Sequence, residues 1–567
     1  MAQGVLARRA TLAAAVVCAL MLSLVACAPE PVRGWKPAQF AAVPGITLAS
    51  IGDAALADPA GQVSVTGDAA IVAEAPAGPV RTGSNDDELY QGRLRNTAIS
   101  FAARFVYVPG VPGFNDWVNE QLWAGIRTAE AASGAGYQPQ VHPIGAGLAS
   151  RGCVPGSLSW PAAQVLTRTE TGVPGGSGTA VTCEVTGEFG TLIEVRMRTV
   201  TGVTAETPAA DGDSDVAAGT SSAPVTTIQA DEARMLYANV ATGEIVEIVD
   251  EWTDEAPVEL WRSVVELLRR EAGGLSTAPV SEPDDEQRHL ALWALETAHT
   301  GDTGELAVTL PAGLRAPELQ GLGIASTQEP ITVIVEPARA LTWSNDDYRE
   351  LQHAAGEPFT GTISPVHTVP LDCSLLPCVA LTYDDGPGEF TGTLLDTLQQ
   401  RQARVTFYML GSRAGNTQVI ARAAAEGHEI GSHTMTHPDL TTLPLDAAVA
   451  QVRDAAAVLG DVSGQPVTTF RPPYGAINNQ IIDAVGMPAI LWSVDTNDWR
   501  RPGQDALVER SVGVVKTGGI ILFHDSHPDS VAVAGRVVEG LRDRGFELVT
   551  VTQLFDGSVP PGRVSSR

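Results

Sequence analysis

The chain has 567 residues, with 66 acidic against 36 basic side chains and a formal charge of -30 at neutral pH. That balance excludes a broad basic surface able to hold nucleic acid or acidic lipid by counterion release, so no nucleic-acid partner is expected. At roughly 150 residues per domain, the length predicts about two to four folding units.

Arg8 and Arg9 precede an apolar run from Leu12 to Leu24 that is too short to span a bilayer comfortably. The run ends in Leu24-Val25-Ala26-Cys27, which resembles a bacterial lipobox. The resemblance implies a signal peptide over residues 1–26 and a lipidated Cys27 that anchors the protein to the outside of the cell membrane, or secretion if Cys27 is not lipidated. Residues 27–90, dominated by Ala, Gly, Pro, Val and acidic side chains, are expected to form a flexible tether. Export leaves Cys153, Cys183, Cys373 and Cys378 in an oxidising compartment, where three pairings are possible. Cys373 and Cys378 are close enough for a local staple, and Cys153 then pairs with Cys183.

Between residues 91 and 352 the patterns of strand and helix are mixed, which predicts an α+β accessory domain. Ala98 to Val108 reads as a strand, and Trp117, Leu122, Trp123 and Ile126 then mark a helix. Thr191 to Thr201 alternates so that Ile193, Val195 and Met197 would cover a core while Glu194, Arg196 and Arg198 meet water. An Ala-, Gly-, Ser- and Thr-rich stretch near 204–222 is expected to be a mobile insertion. Arg234 to Val240 resumes the strand pattern, Val258 to Arg270 and Gln287 to Ala298 read as amphipathic helices, and Leu306 to Leu310 and Ile331 to Val335 as strands. Trp117, Trp123 and Trp261 are read as core residues.

Chemistry concentrates in residues 372–557. An apolar strand, Val379 to Tyr383, stops in Asp384-Asp385-Gly386-Pro387, and strand C-terminal ends are where α/β architectures place variable functional loops. His433 and His437 sit four apart, a spacing that can put both on one face of a helical turn. Two imidazoles with one carboxylate make a facial metal set that leaves positions open. Three further segments follow: Arg471-Pro472-Pro473-Tyr474-Gly475, Asp495-Thr496-Asn497-Asp498-Trp499 and Leu522-Phe523-His524-Asp525.

These five motifs, in this order, resemble those of the polysaccharide deacetylase family, carbohydrate esterase family 4, also called the NodB homology domain. The resemblance implies an α/β fold, a distorted (β/α) barrel, as the catalytic domain preceded by the α+β extracytoplasmic domain. That first domain is similar in pattern and position to a module found ahead of the catalytic domain in some peptidoglycan deacetylases. The resemblance implies Asp384 as general base, with Asp385, His433 and His437 as ligands of a divalent metal, Zn²⁺ or else Co²⁺. Thr434 would brace the histidine loop. Arg471 would pair with Asp384, and Asp498 with His524, the general acid. The Tyr474 backbone N–H would meet the oxyanion, and Leu522 and Trp499 would shape the acetyl pocket. Tyr383 stands where many members carry Phe.

The implied reaction is metal-dependent hydrolysis of N-acetyl groups on an amino-sugar polymer. An exported, anchored protein meets the cell wall first, which points to N-acetylglucosamine or N-acetylmuramic acid of peptidoglycan. Chitin oligomers and acetylated xylan are the alternatives, and a catalytically inactive cell-wall binding or sensing protein is the alternative of another class. His428 and Trp492 are read as structural and core residues, and His527 as peripheral. Oligomeric state is left open.

Overall fold

The computed structural model describes residues 43–50, 88–205, 225–248, 252–274, 276–300, 305–345, 349 and 357–567. The expected signal peptide, Cys27, most of the expected tether and most of the expected insertion lie outside these residues. Among the described residues no helix is long and apolar enough to cross a membrane.

The tether expectation is corrected at one place. Ile46–Ser50 forms a strand that pairs antiparallel with Ile331–Val335, at the edge of a four-stranded sheet that continues through Leu306–Leu310 to His299–Thr300. Its sequence, Ile-Thr-Leu-Ala-Ser, alternates apolar and small residues, so Ile46 reaches the core while the surrounding composition gives no hint of order. Helices Ala256–Glu271 and Asp285–Glu296 cover this sheet with Leu260, Trp261, Val264, Leu268, Ala291 and Leu295.

A six-stranded sheet stands beside it, running from Tyr90–Asn96 through Phe101–Tyr107, Gly178–Phe189, Leu192–Ala205 and Val225–Asn239 to Ile245–Ile248. The helix Pro112–Ser133 packs Phe114, Val118, Leu122 and Ile126 into its core. Leu192–Ala205 departs from expectation because both of its faces are covered. Glu194, Arg196 and Arg198 are as inaccessible as Ile193 and Val195. Arg198 meets both oxygens of Asp231 at 2.7 Å and donates to the carbonyls of Leu158 and Trp160. Arg196 bonds Glu194 and the carbonyl of Glu296, and Glu194 also accepts from Thr186 and Tyr237. The alternation is present, but its polar face is buried against other protein groups.

The C-terminal region is built on parallel strands in the order Glu429–Ser432, Thr406–Met409, Cys378–Asp384, Ile520–His524, Val494–Asp495. Single bridges from Ser432 to Phe470 and from Phe470 to Ala489 carry the sheet round to Ala489–Ile490. The two ends, Ala489–Ile490 and Val494–Asp495, are separated along the chain only by Leu491, Trp492 and Ser493. The sheet is thus a distorted, incomplete (β/α) barrel. Arg563–Val564 pairs with Ala489–Ile490, so the unit continues beyond the expected limit at residue 557.

Strand Cys378–Asp384 is buried along its whole length, as an interior parallel strand requires. Its period-2 alternation divides the layers. Val379, Leu381 and Tyr383 pack with the outer helices, whereas Cys378 and Ala380 join the core shared with the N-terminal region. That core holds the two regions together at the strands' N-terminal ends, where Glu547 is gripped by Arg151 and Tyr90. Six residues of strand put Asp384 about 20 Å from this seam. Disulfides join Cys153 to Cys183 and Cys373 to Cys378.

Candidate active site

Parallel register brings the chemistry together. Asp384 lies opposite Tyr408 on one neighbour and His524 on the other, and Met409 opposite Ser432, so the chain leaves four adjacent strands at one rim. Thr382 and Asp384 share the inward face, where the buried Arg471 guanidinium donates to Thr382 at 2.6 Å and to Asp384 at 2.8 Å. Arg471 also donates to the carbonyls of Ile490 and Leu491 and lies over the Tyr408 ring. These contacts leave the guanidinium one position, and with it the Asp384 carboxylate. Burial pushes the Asp384 carboxyl above its ordinary range, and Arg471 works against that shift.

Asp385, His433 and His437 can each offer one ligand atom, and those atoms lie within 4.8 Å of one another. Nε2 of His433 and of His437 stand 3.5 and 3.4 Å from Oδ1 of Asp385. The expected helical turn is not what joins the histidines. They sit on the loop after Glu429–Ser432, and Thr434 and His437 adopt left-handed conformations at φ 69° and 64°. The Thr434 hydroxyl accepts from the His437 amide at 3.0 Å and closes that loop.

This trio fits a divalent cation on two structural grounds. Oδ1 of Asp385 is buried and has no hydrogen-bond partner. Nδ1 of His433 lies 2.8 Å from the Arg471 carbonyl, to which it donates, so its Nε2 lone pair faces the cluster. Burial also holds His433 well below the ordinary imidazole range and hence neutral, as a ligand must be.

On the opposite side, His524 Nδ1 donates to Asp498 at 2.8 Å, and Asp498 also accepts from the His524 amide and the Ser530 hydroxyl. Burial alone would lower the imidazole. The hydrogen bond and charge of Asp498, with the charges of Asp384 and Asp385, outweigh it and raise His524 to about 9. Tyr474, at φ 61°, presents an exposed ring whose hydroxyl is 3.2 Å from His437 Nδ1. Leu522 is buried on the strand beside Asp495, while Trp499 stands out at the rim. The structure thus brings Asp384, Asp385, His433, His437, Arg471, Tyr474, Asp498 and His524 to one rim.

Other participants were given no role from the sequence motifs. The buried Asp525 carboxyl accepts from Thr391 at 2.5 Å, leaves Oδ1 without a partner, and is pushed up to about 7 by burial. The Ser526 hydroxyl lies 3.5 Å from Asp385 Oδ2, and Arg413 donates to the Asp385 carbonyl. Adjacency to His524 could have pointed to Asp525 and Ser526; nothing local points to Thr391 or Arg413. His428 accepts from the Val405 amide away from this rim, His527 lies 5.6 Å from the His524 ring, and Trp492 is only half-buried beside Arg471. Nine non-glycine residues among those described have positive φ, and six of them, Asp385, Thr434, His437, Tyr474, Asn497 and Arg501, lie on these loops. Such strain concentrates where function requires an exact arrangement of side chains.

A family profile described as "Polysaccharide deacetylase" matches residues 374–487. The chain is 36% identical over 207 residues to a chitooligosaccharide deacetylase of Sinorhizobium fredii, covering 33% of this chain and 96% of that protein. The chain therefore belongs to the polysaccharide deacetylase family. It is also 35% identical over 187 residues to the peptidoglycan-N-acetylglucosamine deacetylase PgdA of Listeria monocytogenes, covering 33% of this chain and 40% of the relative. With the peptidoglycan-N-acetylmuramic acid deacetylase PdaC of Bacillus subtilis, identity is 37% over 178 residues, 31% of this chain and 38% of the relative. The matches to PgdA and PdaC thus span under half the length of those two curated relatives.

Proposed function

We propose that this chain hydrolyses N-acetyl groups of a cell-wall amino-sugar polymer, peptidoglycan foremost. The observation that carries the reading is the flanking of one three-ligand set by two oriented pairs, Arg471 with Asp384 and Asp498 with His524. Asp385, His433 and His437 would hold the divalent cation, Zn²⁺ for preference, which supplies Lewis acidity toward the amide carbonyl and the attacking water.

Asp384, fixed by Arg471, takes the proton of the water as its oxygen bonds to the carbonyl carbon. The Tyr474 backbone N–H is assigned to the oxygen on which charge develops. His524, cationic at neutral pH, gives its Nε2 proton to the nitrogen as the C–N bond breaks, releasing acetate and the free amine. Leu522 and Trp499 bound the acetyl group. The names of the peptidoglycan-directed relatives support this substrate. Lipidation of Cys27 would keep the enzyme at the wall.

The test is acetate release from purified peptidoglycan by the full chain. Chelation should abolish it and Zn²⁺ restore it, and Asp384→Asn should lower kcat by about 10²- to 10⁴-fold. Release that persists under chelation, or that Asp384→Asn leaves undiminished, rejects the assignment.

A further inference from the structure

The loop after Val494–Asp495 turns through Asp498–Arg500, bracketed by the left-handed residues Asn497 and Arg501. The turn splits adjacent residues between two environments. Asp498 goes inward to His524, while Trp499 goes outward, with 53% of its surface exposed. The Arg500 guanidinium lies 4.5 Å over the Trp499 ring, and Arg501 follows, exposed.

Among the described residues, neither guanidinium has a carboxylate partner. In the same domain Arg401, Arg422, Arg536 and Arg567 are each ion-paired, whereas Arg127, Arg288 and Arg315 of the accessory region are exposed and likewise have no carboxylate partner. In a chain of charge -30, Arg500 and Arg501 are two adjacent exposed arginines without a carboxylate partner. Stacking on Trp499 orders Arg500 and leaves its in-plane N–H groups free, the geometry that suits a carboxylate.

We infer that Trp499, Arg500 and Arg501 form a recognition platform for a carboxylate carried by the acetylated glycan. The inference rests on the deacetylase reading and narrows its substrate. Two parts of peptidoglycan carry that group: the lactyl ether of N-acetylmuramic acid where no stem peptide is attached, and the stem peptide itself. A neutral chitin-type oligomer lacks it.

The experiment is titration calorimetry on the full-length chain, comparing wild type with Arg500→Gln/Arg501→Gln. The probes are a neutral N-acetylglucosamine tetramer, peptide-free peptidoglycan strands and peptide-bearing strands. The double variant should bind the carboxylate-bearing probes about tenfold more weakly at low salt, a difference that shrinks at high salt. Its affinity for the tetramer should change less than twofold, and Arg500→Lys/Arg501→Lys should recover part of the loss. A loss on peptide-free strands identifies the lactyl carboxylate; a loss confined to peptide-bearing strands identifies the stem peptide. Equal affinities of wild type and double variant for every probe, equal losses on all three, or no wild-type binding of either strand preparation would overturn the inference. Every chain titrated also carries Asp384→Asn, so that binding is read without turnover, and absence of acetate release by the unsubstituted chain would count against the deacetylase reading alone.

Discussion

Two of the regions in which this molecule buries charge treat it differently. In the accessory sheet, Glu194, Arg196 and Arg198 are enclosed, and they meet Asp231, Thr186, Tyr237 and three backbone carbonyls. At the C-terminal rim, Asp384 and Arg471 are equally enclosed, yet Asp385 Oδ1 and Asp525 Oδ1 beside them have no partner. The backbone follows the same division. Left-handed non-glycine residues crowd the rim loops and are absent from Leu192–Ala205. Burial of charge alone therefore does not mark a site; unsatisfied atoms held on strained loops do.

The comparison can be broken by removing one member from each network. Arg196→Met leaves Glu194 buried without its cation and should destabilise the fold by about 3–5 kcal/mol, read by denaturant unfolding. Activity per folded molecule should hardly change, because the accessory sheet lies far from the rim. A variant as stable as wild type, with lowered kcat, would reverse the roles given to the two regions.

Asp498→Asn tests the rim. His524 near 9 stays protonated through neutral pH, so its acid form is lost only as pH rises through about 9. Without Asp498, burial would dominate and lower the imidazole. The alkaline limb of the pH–rate profile should then move down by about one unit or more, with a smaller change in stability. An unmoved limb would separate His524 from the rate. Ser526→Ala should have the smallest effect. Its 3.5 Å contact with Asp385 is long, so a loss of about tenfold or less in Zn²⁺ affinity is expected by competition with a chromogenic chelator.

Much of the site was legible because its motifs are local. Asp384-Asp385 ends an apolar strand, and His433 and His437 lie on one short segment. Their assembly was less legible. Four-residue spacing suggested a helical turn, whereas Thr434 and His437 reach the same cluster through left-handed backbone. The pairings of Arg471 with Asp384 and Asp498 with His524 were implied by resemblance, not spacing, since 87 and 26 residues separate the partners. Thr391 and Arg413 had no motif at all. In the accessory region, Ile46–Ser50 was hidden by tether-like composition, and the charged face of Leu192–Ala205 was assigned to water because alternation reports two faces without saying what covers each.

By itself, the sequence determined the acidic balance, the order of five chemical motifs and the strand that delivers Asp384 to its end. Those features depend on residue identity and short-range periodicity. Only the tertiary structure decided that Asp385, His433 and His437 share one focus, that Asp385 Oδ1 is left without a hydrogen bond, and that Arg500 stacks on the exposed Trp499. Register between distant strands and competition for buried hydrogen bonds set those outcomes, and neither is a property of a local segment.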